Sequence, residues 1–343
     1  MYDKYLVTGA TGYLGGTLSR RLHTIGAAVR VLVLPGDPLA YDLPEGTELC
    51  YGSVDDKSSM EEFFSGADER TCVIHCAGII SIASKNSRRL WRVNICGTQN
   101  ITDMCVERGV GKLVYVSSVH AIPEKPMGQC ISECDDFAPG LVVGDYAKSK
   151  AAATAYVLQA AKNGLNASVV HPSGIIGPYD STGGNVTGAI ISYCQGKLSA
   201  GISGGYDFVD VRDVVEGIIS CCDKGRPAAC YILSGCYSSV KRVLQTVQKH
   251  IKGPKLLFCA PLSLIKPVAP LCEQITLRQK KPLFLTPYSI YTLCSNAAFS
   301  HERATKELDY HPRALEETLS DMVRWLAATG KISKKRRLIS ARQ

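Results

Sequence analysis

Three glycines at three-residue intervals, Gly9, Gly12 and Gly15, join a short apolar stretch to an amphipathic one. Residues 4–8 read as a strand. Leu14, Leu18, Leu22 and Ile25 then recur at helical spacing until Gly26 stops them. A chain that passes from strand to helix through glycines presents backbone N–H groups at a helix N-terminus. Those groups and the helix dipole attract phosphate, and the glycines let a pyrophosphate approach the backbone. The spacing is Gly-x-x-Gly-x-x-Gly, not the commoner Gly-x-Gly-x-x-Gly. The argument therefore rests on where the glycines stand as much as on how they are spaced.

The alternation continues. Residues 28–34, 47–51, 71–75, 112–117 and 166–171 read as strands. Residues 14–25, 60–64, 88–108 and 146–162 read as helices. Short apolar strands alternating with helices predict an α/β fold, a doubly wound parallel sheet of the Rossmann type covered on both faces. After Pro172 prolines and glycines become frequent, and one late helix, 315–326, stands out. The reading divides the 343 residues into a dinucleotide-binding domain over 1–172, a smaller mixed substrate-binding region over 173–330 and a basic tail over 331–343.

The formal charge of +8 lies mostly in that tail, where Lys331, Lys334, Lys335, Arg336, Arg337 and Arg342 meet no acid. The remaining +2 is too little for a body that grips nucleic acid, and the tail reads as a solvated end. The 15 cysteines include no Cys-x-x-Cys pair and no histidine cluster beside them, so no metal site is expected. Reduced thiols and a strand close to the first residue lead to an expectation of a cytoplasmic protein without a signal peptide. No apolar run is long enough to span a bilayer.

Tyr146 and Lys150 stand at i and i+4, on one helix face. A phenol titrates near pH ~10, and a neighbouring ammonium lowers that value, which suits proton transfer to or from an alcohol or carbonyl. Tyr193/Lys197 and Tyr237/Lys241 share the spacing. Only Tyr146/Lys150 opens a helix between the fifth and sixth strands. Only it follows a strand ending in Ser117-Ser118, at the sheet edge where α/β folds bind ligands. Asp37, just past the second strand, reads equally as a partner for the cofactor's ribose hydroxyls or as a turn acid. No Arg follows that strand, so NAD is expected, with NADP left open.

TGATGYLG, His75-Cys76-Ala77-Gly78, Asn94 in VNICGTQN, YVSSVHA, YAKSK, HPSGIIGP and the later Phe208–Val214 stretch occur in this order. As a set they resemble the extended short-chain dehydrogenases/reductases, the NAD-dependent epimerase/dehydratase family, over about residues 1–215. The resemblance implies that Tyr146 is the acid/base, Lys150 its electrostatic partner and a ribose ligand, and Ser118 (or its neighbour Ser117) the substrate-oxygen ligand. Asn94 would relay a proton or brace the site. Gly9, Gly12, Tyr13, Leu14 and Gly15 would line the pyrophosphate, Ala77 the cofactor, and Pro172 and Ser173 the nicotinamide amide. Where the family often has Gly-Asp after the third strand, this chain has Gly52-Ser53-Val54, which leaves Ser53 and Val54 for the adenine end. His75 and His120 read as structural, and Cys76 as a small apolar filler.

The C-terminal region is expected to supply an apolar pocket from Leu256, Leu257, Phe258, Leu262, Leu264, Ile265, Leu283, Phe284 and Leu285. Lys197 and Arg212 are scattered and form no diphosphate clamp. The expected function is therefore an NAD(P)-dependent alcohol–ketone oxidoreductase acting on a hydrophobic, ring-containing substrate, as in the dihydroflavonol reductase and 3β-hydroxysteroid dehydrogenase branch. A nucleotide-sugar epimerase or reductase is the alternative, and a non-catalytic dinucleotide sensor a third reading. The proline-broken segment 254–288 reads as a lid, or as weak contact with a membrane surface. A homodimer through 88–108 and 146–162 would follow family habit.

Overall fold

The computed structural model describes residues 2–84, 88–251, 256–279 and 283–332. Seven parallel strands form the central sheet: β1 (Lys4–Thr8), β2 (Ala28–Val33), β3 (Glu48–Tyr51), β4 (Thr71–His75), β5 (Lys112–Val116), β6 (Ala167–Pro172) and β7 (Cys230–Leu233). Their order is β7-β6-β5-β4-β1-β2-β3, so the winding reverses between β1 and β4. A ligand crevice opens at such a reversal, outside the carboxyl ends of the strands. Thr8 lies opposite His75, and His75 opposite Tyr115, which aligns three strand ends along that edge.

Strand alternation sorts the core into two layers. Tyr5 and Val7 face α1 (Tyr13–Thr24) and its Leu18 and Leu22. Leu6 and Val73 face the other way, with Ile101 and Met104 of α2 (residues 88–108) and Ala151 and Val157 of α3 (Asp145–Lys162). α2 is one run, but Arg92–Cys96 within it is a π-helical turn. Turns of this kind concentrate at functional sites, and Asn94 lies inside this one.

The helix expected at 60–64 is instead a 3-10 turn, Lys57–Met60, followed by turns. Met60, Phe63 and Phe64 are buried, which explains the helix-like spacing. The buried Arg30 guanidinium takes the carbonyls of Glu62, Phe63 and Ser65 that a longer helix would have used.

Beyond Pro172 the chain is more regular than its prolines suggest. Gly174–Ile176, Gly205–Asp210 and Cys236–Ser239 form a small sheet, and Ala200–Ile202 pairs with Phe258–Ala260. Besides a single helical turn at Leu262–Ile265, the helices among the described residues are α4 (Asn185–Cys194), α5 (Val211–Lys224), α6 (Val240–His250), α7 (Ala269–Arg278), α8 (Pro287–Cys294), α9 (Glu302–Leu308) and α10 (Leu315–Ala328). Pro270 and Pro287 sit in the first turns of α7 and α8, where proline starts a helix instead of breaking it.

The sheet takes its seventh strand from residues 230–233, and α5 packs beside α1. The folded chain also continues past 330. Ile332 is buried, and the Lys331 ammonium donates to the carbonyls of Asp180 and Ser181 at 3.1 and 3.0 Å. The rest of the basic tail, 333–343, lies outside the described residues. Among the described residues no helix is long and apolar enough to cross a membrane, and no group of side chains could hold a metal ion.

Candidate active site

A cavity of about 1230 Å³ runs from the glycine loop along the sheet edge into the C-terminal region. Small-molecule pockets occupy roughly 300–1,000 Å³, so this one has room for a dinucleotide and a second ligand. The loop that forms its floor is tight. Gly9 has φ 73°, and a Cβ there would come within 2.8 Å of the Ala77 nitrogen. A Cβ on Gly15 would lie 2.2 Å from the Gly9 carbonyl oxygen. Side chains here would fill the cradle between Gly9–Gly15 and Ala77. As built, it fits a pyrophosphate held by backbone N–H groups at the start of α1. Gly12, Tyr13, Leu14 and Ala77 line the same wall.

The wall is braced from below. The Thr8 hydroxyl is hydrogen-bonded to His75 Nδ1 at 2.7 Å and accepts from the Ala77 nitrogen. His75 Nε2 meets the Thr98 hydroxyl at 3.1 Å. Burial pushes the His75 pKa down to about 3, so the ring is a neutral tie between β1, β4 and α2. Burial also pushes the Cys76 thiol up to about 12, which leaves it protonated.

The two serines separate. The Ser117 hydroxyl is hydrogen-bonded to Thr154 of α3 at 2.7 Å. Ser118 accepts from the His120 nitrogen, and its hydroxyl is close enough to Tyr146 to lower the phenol's pKa, so it is the serine beside the phenol. Tyr146 is buried, and burial raises its pKa to about 12, with the Ser118 hydrogen bond opposing. The expected lowering by Lys150 is overturned, because burial outweighs it and the ammonium is engaged elsewhere. Lys150 Nζ donates to the Val116 carbonyl at 2.8 Å and to the Tyr115 hydroxyl at 3.4 Å. Burial lowers the Lys150 pKa to about 8.

Asn94 is committed to bracing. Its Oδ1 accepts from the Ile79 nitrogen at 2.7 Å, and its Nδ2 donates to the Ile79 carbonyl and to the Ser149 hydroxyl, both at 3.0 Å. Ser149 donates in turn to the Tyr146 carbonyl. The loop after β4 is thereby tied to the turn of α3 that carries Tyr146. The π turn leaves the Asn94 carbonyl to accept from the Thr98 hydroxyl.

Where the adenine is expected, Leu34, Ser53 and Val54 line the cavity. Asp37 does not. Its carboxylate accepts from the Leu39 nitrogen and caps a 3-10 turn, the turn-acid reading. Asp55, which the sequence reading passed over, stands in the wall. It accepts from the Ser53 hydroxyl and pairs with Arg92. Where the nicotinamide is expected, Pro172 and Ser173 line the cavity, and the Ser173 hydroxyl donates to Asp207 at 2.5 Å.

Three further side chains close round Tyr146. His120 lies edge-on to its ring at 6.0 Å, stacks on Tyr206 at 5.5 Å and approaches Tyr288 at 6.1 Å. The Tyr206 hydroxyl is hydrogen-bonded to His120 Nε2 at 2.9 Å, and burial lowers that imidazole's pKa to about 4. Nothing in the sequence links positions 120, 206 and 288.

Past this cluster the cavity is lined by Val186, Ile190, Leu198, Val243, Leu244 and Phe284, with Asn185, Thr187 and Ser192 interleaved. Of the residues expected there, only Phe284 and Leu285 line it, whereas Leu257, Phe258 and Leu264 are exposed to solvent. The Arg212 guanidinium is held by Asp210 and Asp321 outside the cavity wall.

Comparison with known proteins agrees with this geometry. The model of the NAD dependent epimerase/dehydratase family matches residues 5–231. Sterol demethylase protein B of Methylococcus capsulatus is 29% identical over 95% of this chain and 99% of its own. Short-chain dehydrogenase/reductase family 42E member 1 of Macaca fascicularis is 30% identical over 96% of this chain and 88% of its own. The crystal structure of gox2253, 26% identical, superposes with a TM-score of 0.81 over 96% of this chain and all of that one. The glycine cradle, the parallel sheet and the matched span lead to one conclusion: this chain belongs to the NAD dependent epimerase/dehydratase family, the extended short-chain dehydrogenases/reductases.

Proposed function

We propose that this protein is an NAD-dependent oxidoreductase that interconverts an alcohol and a ketone on a hydrophobic, ring-containing substrate. The carrying observation is the cavity beyond Tyr146. Val186, Ile190, Leu198, Val243, Leu244 and Phe284 give that part an extended apolar surface, and of the cations that line the cavity as a whole, Arg89, Arg92 and Lys150, Arg92 is paired with Asp55 and Lys150 is bonded to the Val116 carbonyl. A nucleotide-sugar substrate brings a diphosphate, which needs cations or a comparable set of donors. A fused-ring, sterol- or flavonoid-like body needs the apolar wall that is present.

The glycine cradle and Ala77 would hold the dinucleotide's pyrophosphate, with Leu34, Ser53 and Val54 at its adenine end and Pro172 and Ser173 at its nicotinamide end. When bound, the nicotinamide supplies or accepts the hydride. The chain's own residues manage the oxygen. Ser118 donates a hydrogen bond to the substrate oxygen, and Tyr146 gives it a proton in reduction or takes one in oxidation. With its pKa raised to about 12 by burial, Tyr146 is protonated at neutral pH, the form that reduction needs. Lys150 holds positive charge at the strand ends within one helical turn of the phenol. His120, Tyr206 and Tyr288 exclude water and fix the phenol ring.

The test is a screen of sterols, flavonoids and UDP-sugars for change in nicotinamide absorbance. Turnover of an apolar polycyclic ketone or alcohol is expected. Activity confined to UDP-sugars would assign the chain to the family's epimerase chemistry instead. Cofactor binding without turnover of any class, together with a silent Tyr146→Phe change, would favour a dinucleotide sensor.

A further inference from the structure

Asp207 is buried where the two sheets meet. It belongs to the small-sheet strand Gly205–Asp210 and is 2% exposed. Its Oδ1 accepts from the Ser173 hydroxyl at 2.5 Å and from the Gly235 nitrogen at 2.9 Å. Ser173 stands between β6, which ends at Pro172, and the small-sheet strand Gly174–Ile176. Gly235 lies in the link between β7 and the small-sheet strand Cys236–Ser239. One carboxylate oxygen thus ties two places where the chain leaves the large sheet for the small one.

The tie has a chemical consequence for Ser173. Burial pushes the Asp207 pKa up to about 6, with the bonds from Ser173 and Gly235 opposing, so the group is ionised at neutral pH. An ionised carboxylate can only accept, and a serine hydroxyl has a single proton to give. That proton is committed to Asp207. Ser173 also lines the cavity, where its oxygen has only lone pairs left to offer a ligand.

We infer that Asp207 is a positioning residue that fixes the Ser173 hydroxyl as an acceptor, so that the site selects a cofactor ring bearing an N–H donor, a primary carboxamide, over one bearing a ketone. This rests on the reading that the nicotinamide lies at Pro172 and Ser173. It adds the polarity of the contact and the residue that sets it. With its amide N–H turned to Ser173, the carboxamide has one orientation and not its flipped one.

The test is calorimetric titration of the full chain with NAD and with 3-acetylpyridine adenine dinucleotide, which carries a methyl ketone in place of the carboxamide. The parent is expected to bind NAD about tenfold more tightly, the worth of one hydrogen bond that the analogue cannot make. In Asp207→Ala the ratio should fall toward one, because Ser173 can then turn its proton to the ketone. Asp207→Asn, whose Oδ1 can accept the same two bonds, should restore the parental ratio. A tie that is only structural would weaken both dinucleotides equally and leave the ratio unchanged in Asp207→Ala, which would overturn the inference. Ser173→Ala keeps the Gly235 bond and guards against a failure of Asp207→Ala to fold. It too should lose the discrimination, and a parental ratio there overturns the inference. NAD binding by the parent without discrimination defeats this inference alone. Absence of any NAD binding defeats the proposed oxidoreductase with it.

Discussion

The Lys150 ammonium donates to the carbonyl oxygen of Val116 at 2.8 Å, held against the end of β5 and not against the phenol of Tyr146. Its titratable neighbours hold still near neutral pH. Burial pushes His75 to about 3 and His171 to about 4, both neutral there, and pushes Cys76 to about 12 and Tyr115 higher still. Lys150, lowered to about 8, is the group in this set whose charge changes as the solution turns alkaline. It is an ammonium below that value and neutral above it. The kcat/KM for reduction, which reports the free enzyme, is expected to fall above pH ~8. In Lys150→Arg that limb should move out of range, because a guanidinium stays charged. A profile flat through this region would remove Lys150's charge from the mechanism.

Tyr146→Phe removes the proton donor and little else. Turnover is expected to drop by about 10²–10⁴, while NADH binding followed by fluorescence is retained. A variant with near-parental turnover would place the acid/base elsewhere.

Gly9→Ala places a methyl group 2.8 Å from the Ala77 nitrogen at a φ of 73°. Left-handed strain alone costs about 1–3 kcal/mol, and the loop must also shift into the pyrophosphate cradle. A lower melting temperature and loss of NADH binding are expected together. Retention of NADH affinity would show that the cradle is not where the cofactor sits.

Asn94→Ala leaves the Ile79 nitrogen and carbonyl and the Ser149 hydroxyl without their partner. Each such buried loss costs about 1–3 kcal/mol. Chemical denaturation should show the destabilisation. Because Asn94 positions the site without touching the reacting atoms, the pH profile of the folded variant should keep its shape. A changed profile would return Asn94 to a proton relay.

Leu34, at the end of β2, lines the cavity, whereas Asp37 caps a turn outside its wall. Asp37→Ala is therefore expected to leave NADH affinity unchanged and to cost only a cap, about 1 kcal/mol. Leu34→Arg should shift preference toward NADPH, since an Arg there can accommodate the 2′-phosphate. Paired fluorescence titrations read both. Weakened NADH binding in Asp37→Ala would restore the ribose role.

What could be read in the sequence was local. The glycine loop, six of the seven sheet strands and the Tyr146/Lys150 face of α3 each declare themselves within a short window. What could not be read was assembled over distance. β7 lies 58 residues beyond Pro172, and its pairing with β6 leaves no periodic mark. His120, Tyr206 and Tyr288 meet only because the small sheet and α8 fold back over the end of β5. The sign of the Tyr146 shift was missed for the same reason. The i, i+4 spacing shows a cation nearby, but neither the Val116 carbonyl that holds it nor the depth of burial. Helices α7 and α8 were hidden because Pro270 and Pro287 look like breakers until their first-turn positions are known.

The late arrival of β7 constrains how the protein can be made. While the chain is being synthesised, β6 waits with an unpaired edge until residues 230–233 have left the ribosome, and unpaired edges recruit foreign strands. Fragments cut at 172 would inherit that open edge permanently. Dissecting the enzyme into separate cofactor and substrate halves should therefore yield aggregating pieces, and a useful split point has to lie beyond Leu233.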